Sequence, residues 1–74
     1  MGRLSADAAD KVDQVVRKVL AEGPYRRRDI VRRAGFSSTV VSRALRRLKR
    51  RNLIVMTVDR EGKRWALTEG GRDG

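Results

Sequence analysis

The first half of the chain repeats apolar residues at intervals of three and four. In its first segment these residues share one stripe, which predicts a helix over about residues 6–21. Ser5 is suited to cap the start of this helix, and Gly23 and Pro24 are suited to end it. The residues on the stripe are Ala8, Ala9, Val12, Val15, Val16, Val19 and Leu20.

Two further helices are predicted after this one. The shorter helix covers about residues 26–34 and ends at Gly35, and Ser37 is placed to cap a third helix over about residues 37–51. At 100° per residue, the third helix is amphipathic, with one apolar side and one basic side. Its apolar side consists of Val41, Ala44, Leu45 and Leu48, and its opposite side is centred on Thr39, Arg43, Arg46 and Arg50.

The last part of the chain changes to the pattern of a β-hairpin. The runs "NLIVMTV" and "KRWALT" are rich in β-branched and aromatic residues, and "DREG" separates them. We expect a two-stranded hairpin over about residues 53–68, with Gly62 in its turn. Trp65 and Leu67 share a strand face, which predicts that both pack onto the helices. Residues 69–74 are expected to form a frayed tail.

Length and composition limit the chemistry that the chain can perform. Its 74 residues fit one domain, 1–74, with a small core. The absence of cysteine and histidine removes disulfides, thiolate metal sites and the commonest general base, so we expect no enzymatic activity, no metal and no cofactor. Asp7, Asp10 and Asp13 are interpreted as solvated carboxylates near a helix start rather than as metal ligands.

The sequence also indicates where the protein is located and how large a binding pocket it can hold. It has no apolar run of the roughly 20 residues that cross a bilayer, and its first residues lack the apolar region of a secretory signal. We therefore expect an intracellular, cytoplasmic protein associated with the nucleoid. A chain of this size leaves little interior for a pocket, so no small-molecule effector is expected.

The positive charge is concentrated in the middle of the chain. The formal net charge is +10, and residues 25–51 hold 11 of the 19 basic residues but one of the nine acidic residues. The segments on either side are each balanced at four basic and four acidic residues. This distribution predicts a polyanionic partner for the second and third helices.

The order of these elements resembles the winged helix-turn-helix domain of DNA-binding transcription regulators. The resemblance rests on "RRRDIVRRAGFSSTVVSRALRRLKRRNLI" and on "WALTEGG", and it covers nearly the whole chain. It implies an α+β, mainly α fold of three helices followed by a hairpin wing. By this resemblance the helix over 37–51 is the recognition helix, and the hairpin over 53–68 is the wing. Arg26 departs from the family, which often has a serine or threonine cap at this position.

The candidate site residues fall into three groups. Small or basic residues in the first half of the recognition helix would contact base edges in the major groove, and a guanidinium at Arg43 could bind O6 and N7 of guanine. Arginines around them would bind phosphates, and three cations near the hairpin turn would do the same from the wing. The base-contacting candidates are Ser38, Thr39, Val40, Ser42 and Arg43; the phosphate-binding candidates are Arg26, Arg27, Arg46, Arg47 and Arg50; the wing candidates are Arg60, Lys63 and Arg64.

Two other functions fit the same pattern. An RNA-binding winged helix of the ribosomal type would show the same charge on the same fold. Because the major groove of A-form RNA is too deep and narrow for a helix to read, preference for a B-form DNA duplex over an RNA duplex of equal sequence would separate the two functions. A protein-binding winged helix would instead show an exposed apolar patch, which the excess of arginine argues against. The expected function is binding of double-stranded DNA as a small transcription regulator, with a homodimer on two half-sites for selective binding.

Overall fold

The computed structural model describes residues 6–72, which form three helices, a two-stranded antiparallel sheet and one further helical turn. This arrangement confirms the predicted α+β class and the hairpin after the third helix. The expected cap at Ser5 lies outside the described residues. The elements are α1 (Ala6–Ala21), α2 (Arg27–Ala34), α3 (Ser38–Arg50), β1 (Ile54–Asp59), β2 (Gly62–Leu67) and α4 (Glu69–Arg72).

The turn between α2 and α3 depends on two residues. Gly35 adopts φ 78°, in the left-handed region that favours glycine, and its N–H donates to the carbonyl of Val31 over 3.1 Å. Ser37 has extended backbone, and its Oγ accepts a hydrogen bond from the N–H of Val40 at 3.3 Å. The serine is therefore the N-cap, as predicted, and α3 itself begins one residue later.

The core lies where the three helices meet the inner end of the hairpin. Three valines and one leucine of α1 pack against Ile30 of α2 and the apolar side of α3. Ile54 and Leu67 complete the core from the two strands. Removing these side chains from water is the main favourable contribution to folding. The buried apolar residues are Val12, Val16, Val19, Leu20, Ile30, Val41, Ala44, Leu45, Leu48, Ile54 and Leu67.

The hairpin has a continuous register that runs from Ile54 opposite Leu67 to Asp59 opposite Gly62. Beyond β2, the backbone of Tyr25 exchanges two hydrogen bonds with Trp65, at 3.0 and 2.8 Å. The Trp65 side chain packs against the core, as its strand position predicts. Within the part of the chain that the structure describes, β2 thus has a neighbour on both sides, and β1 has β2 alone.

The segment after the wing is more ordered than the sequence suggests. Residues 69–72 form the helical turn α4, where the sequence analysis expects a frayed tail. Thr68 explains the difference, because its N–H donates to the Leu53 carbonyl at 3.0 Å and its Oγ1 donates to the Asn52 carbonyl at 2.7 Å. These bonds fix the chain to the start of the hairpin. None of the described helices has the length and apolar composition that a membrane crossing requires.

Candidate nucleic-acid interface

The outer side of α3 is a row of exposed polar and basic side chains. Ser38 and Thr39 are exposed at its start, and Arg43, Arg46 and Arg50 are exposed along its length. The inner side of the helix is fully buried, so the outer side keeps a fixed direction relative to the core. This division confirms the amphipathic pattern read from the sequence.

A shallow groove of about 190 Å³ follows this side of the helix, and it is lined by Arg43, Arg46, Arg47 and Arg50. Guanidinium groups arranged in this way present planar forks of N–H donors that match phosphate oxygens. No ion pair engages Arg43, Arg46 or Arg50 within residues 6–72, so their charges are uncompensated there. The groove therefore suits an anionic partner.

Arg47 differs from the other three arginines because it binds Asp13 of α1. Its Nη2 lies 2.7 Å from Oδ1 of the carboxylate, and its Nε lies 3.2 Å from both carboxylate oxygens. This hydrogen bonding raises the pKa of Arg47 above its ordinary value, so the guanidinium stays charged. Asp13 is 6% exposed, which corrects the interpretation of this carboxylate as solvated. Arg47, a phosphate-binding candidate in the sequence, is thus already engaged by a carboxylate of the same chain.

The sequence did contain a signal for this pair. Asp13 lies in line with Ala9, Val16 and Leu20 on the apolar stripe of α1, at spacings of four, three and seven. A carboxylate on a buried stripe needs a cationic or hydrogen-bonding partner. Arg47 supplies it from the edge of the α3 apolar side, and the pair fixes α3 against α1.

On its other edge, α3 contacts the start of α2. Nη1 of Arg27 donates to Oγ of Ser42 over 3.2 Å, and Ser42 is half-buried. Val40 is also half-buried, because it packs against the core. Among the base-contacting candidates, Ser38, Thr39 and Arg43 are thus the exposed ones, and Ser42 and Val40 lie at the edges of the surface.

Arg26 connects α2 to the tip of the wing. It is the N-cap residue of α2, its side chain makes no capping hydrogen bond, and its Nη2 donates to the carbonyl of Glu61. Gly62 beside this contact has φ 124°, and a methyl group added there would lie 3.7 Å from Nη2 of Arg26. The Arg26 and Arg27 contacts therefore join α3, the start of α2 and the wing tip into one surface.

The three predicted wing cations have different surroundings. Arg64 pairs with Glu61, and its Nη1 lies 3.8 Å from Oδ2 of Asp59. Arg60 and Lys63 are exposed and have no ion pair among the described residues. The wing therefore presents two free cations, whereas the sequence analysis expects three.

The remaining α2 arginines lie on the surface of the molecule. The guanidinium of Arg33 lies 4.4 Å from the centre of the Tyr25 ring and 3.6 Å from a carboxylate oxygen of Glu22. Arg28 and Arg32 are exposed and have no ion pair within the described ranges. They provide charged positions outside the α3 groove for comparison with those that line it. The described residues contain no group of carboxylates that could hold a metal ion.

Comparison with known proteins gives the fold but no close relative. No protein-family profile matches the sequence, and no curated protein does. Among solved structures, the Zα domain of PKZ from Carassius auratus in complex with Z-DNA superposes with a TM-score of 0.73 at 21% identity, over 82% of this chain and 98% of that one.

Two bacterial proteins have the same architecture. MepR, a transcription regulator of the multidrug efflux pump MepA in Staphylococcus aureus, matches with a TM-score of 0.71 at 26% identity over 85% of this chain. The transcriptional regulator YodB from B. subtilis matches with a TM-score of 0.77 at 21% identity, over 99% of this chain and 80% of YodB. The chain spans about half, 49%, of the MepR chain. Together with the element order, these similarities identify the fold as a winged helix-turn-helix in which α3 is the third helix and β1–β2 is the wing.

Proposed function

We propose that this protein binds double-stranded DNA through α3 and acts as a transcription regulator. The observation that carries the proposal is the outer side of α3. Its exposed arginines, which have no acidic partner among residues 6–72, lie beside small residues on a helix whose other side is buried. MepR and YodB, described as transcription regulators, share this architecture. Such a function would place the chain inside the cell, with its DNA.

The dimensions of α3 support insertion into the major groove. An α-helix with its side chains is about 10 to 12 Å across, which fits the major groove of B-form DNA. The small exposed residues Ser38 and Thr39 allow the start of α3 to approach base edges closely. Arg43, one turn further on, is proposed to bind a guanine, because its guanidinium can donate two parallel hydrogen bonds to O6 and N7.

The other cations are proposed to hold the DNA backbone. Arg46 and Arg50 lie further along α3, and Arg26 and Arg27 extend the same surface through α2. Arg60 and Lys63 would contact the backbone from the wing. Arg47 is proposed to have a structural role instead, because its bond to Asp13 fixes the orientation of α3. These backbone contacts would give affinity with little sequence information.

The affinities of the protein for three kinds of duplex test the proposal. Fluorescence anisotropy would measure the affinity of the full chain for a B-form DNA duplex, an RNA duplex of equal sequence and a CG-repeat duplex held in the Z-form. We expect B-form DNA to bind at least about tenfold more tightly than RNA, since α3 cannot enter the major groove of A-form RNA. Equal affinity for RNA, or tighter binding of the Z-form duplex, would contradict insertion of α3 into the B-form groove.

A matched pair of variants links the result to α3. Arg46→Ala and Arg32→Ala each remove one exposed arginine, so their effect on net charge is the same. Arg46 lines the groove and Arg32 lies on α2 outside it, so the first variant should weaken DNA binding and the second should leave it nearly unchanged. Equal losses would mean that total charge, rather than the α3 surface, determines binding.

A further inference from the structure

The wing tip, residues 59–62, extends away from the core. Residues 55–61 are all exposed, so burial does little to hold this part of the hairpin against the helices. The turn itself is stabilised locally, because Oδ1 of Asp59 accepts hydrogen bonds from the N–H groups of Glu61 and Gly62, at 2.8 and 3.1 Å. These bonds shape the turn, but they do not determine where the tip lies relative to α3.

Backbone pairing holds the middle of β2 to the chain before α2. Tyr25 and Trp65 exchange two hydrogen bonds, and Trp65 lies three positions after Gly62, the first residue of β2. This pairing therefore fixes the hairpin near the core but not at its tip. Within residues 6–72, the hydrogen bond from the tip to the helical part of the molecule comes from the side chain of Arg26.

Arg26 follows Tyr25 directly, and its backbone is still extended, with φ −76° and ψ 156°. Its Nη2 donates to the carbonyl of Glu61, and a methyl group added to Gly62 would lie 3.7 Å from the same nitrogen. The guanidinium thus lies against the wing tip. A guanidinium carries five N–H donors, so the bond to Glu61 leaves donors that can bind a phosphate at the same time.

Arginine is an unfavourable residue at this position by local criteria. The N-cap of a helix is usually a serine, threonine, aspartate or asparagine, whose side chain accepts a hydrogen bond from the first turn, and Arg26 makes no such bond. Its positive charge also lies at the positive end of the α2 dipole. A residue that breaks two local rules is expected to compensate through another contact, and the bond to the wing tip is that contact.

We propose that Arg26 is a positioning residue for the wing. By holding the tip beside α2, it sets the distance between the wing cations Arg60 and Lys63 and the outer side of α3, so that both reach the same duplex. The inference rests on the proposed DNA binding and deepens it, because the contribution of the wing then depends on a residue outside the wing. Arg27 is the matched control, since its side-chain hydrogen bond within residues 6–72 goes to Ser42 of α3.

The dependence of DNA affinity on salt compares the two arginines. Arg26→Ala and Arg27→Ala each remove one exposed positive charge from the start of α2. Arg26→Ala should make the slope of log affinity against log salt shallower by about three units, from roughly 0.9 each for Arg26 and the two wing cations. Arg27→Ala should change the slope by about one unit, for its own contact. Equal changes in the two variants would overturn the proposal.

Combined variants measure the coupling between Arg26 and the wing. The wing variant, Arg60→Ala with Lys63→Ala, should change the salt slope by about two units in the unaltered chain and in Arg27→Ala, but by less than about half a unit in Arg26→Ala. Arg46→Ala should still change the slope by about one unit in Arg26→Ala. A full effect of the wing variant in Arg26→Ala, or the loss of the Arg46→Ala effect there, would overturn the proposal, since the second result indicates a general structural role.

NMR relaxation of the free protein tests the contact without DNA. The backbone order parameters of Glu61 and Gly62 should be about 0.85 in the unaltered chain and in Arg27→Ala, and below about 0.6 in Arg26→Ala. This result is unaffected if DNA binding fails, whereas a flat salt slope for the unaltered chain would contradict the proposed function. An equally ordered wing tip in Arg26→Ala would overturn the positioning role.

Discussion

The outer side of α3 and the wing both looked basic in the sequence, but the structure gives them different surfaces. The arginines at 43, 46 and 50 have no acidic partner among residues 6–72, whereas Arg64 of the wing is paired with Glu61 and Asp59 from the same hairpin. The wing also exposes Val55, Met56 and Val58, and the inner side of α3 is buried. The comparison shows that the charge available to a partner depends on which cations already have acidic neighbours.

The largest difference between the two regions should appear in stability. Leu45→Ala in α3 removes a side chain that is 3% exposed, and we expect it to lower the free energy of unfolding by about 2 to 5 kcal/mol. Val58→Ala in the wing removes one that is 71% exposed and should change it by less than about 0.5 kcal/mol. Urea denaturation of both variants measures these values. A large loss from Val58→Ala would mean that the wing edge is already covered within one chain.

The Asp13–Arg47 pair should give the next largest effect. Asp13→Ala removes the carboxylate that binds Arg47 and should lower the free energy of unfolding by about 1 to 3 kcal/mol, since the hydrogen bonds join charged groups at a partly buried site. Asp10→Ala is the control, because Asp10 is an exposed aspartate of the same helix and should cost less than about 0.5 kcal/mol. Equal losses in urea denaturation would show that the pair does not anchor α3.

Within α3, replacing Arg43 and replacing Arg46 should affect DNA binding in different ways. Arg43→Ala should cost about 1 to 3 kcal/mol on the preferred site and relax the choice of one base pair. Arg46→Ala should weaken binding to every duplex. It should also make the slope of log affinity against log salt shallower by about one unit. Affinities over a panel of single-base variants decide between these roles. Sequence-independent losses from both variants would mean that Arg43 holds the backbone and does not specify a base.

The smallest effects should come from the wing. Lys63→Ala removes a free cation and should weaken DNA binding slightly and equally on all sequences. The double variant Glu61→Gln with Arg64→Gln removes an ion pair without changing net charge, so affinity should stay within about twofold. Anisotropy titrations at one salt concentration compare the two. A change of preferred sequence in Lys63→Ala would indicate that the wing contacts bases instead.

Much of this fold could be predicted from local pattern. The apolar stripe of α3, the cap at Ser37 and the left-handed Gly35 all follow from neighbouring residues, and the structure places them as expected. The contacts between elements could not be predicted in the same way. Arg47 and Asp13 are 34 positions apart and Arg26 and Glu61 are 35 apart, and periodicity gives the face of a helix but not the element opposite it.

The dependence of DNA affinity on salt tests the central claim most directly. For the full chain on a B-form duplex, the plot of log affinity against log salt should have a slope steeper than about −4, from roughly 0.9 per phosphate contacted. The double variant Arg46→Ala with Arg50→Ala should flatten this slope by about two units, and Arg28→Ala with Arg32→Ala, which removes the same charge outside the groove, should change it by less than about half a unit. A flat slope for the unaltered chain, or equal changes in the two double variants, would contradict DNA binding through the outer side of α3.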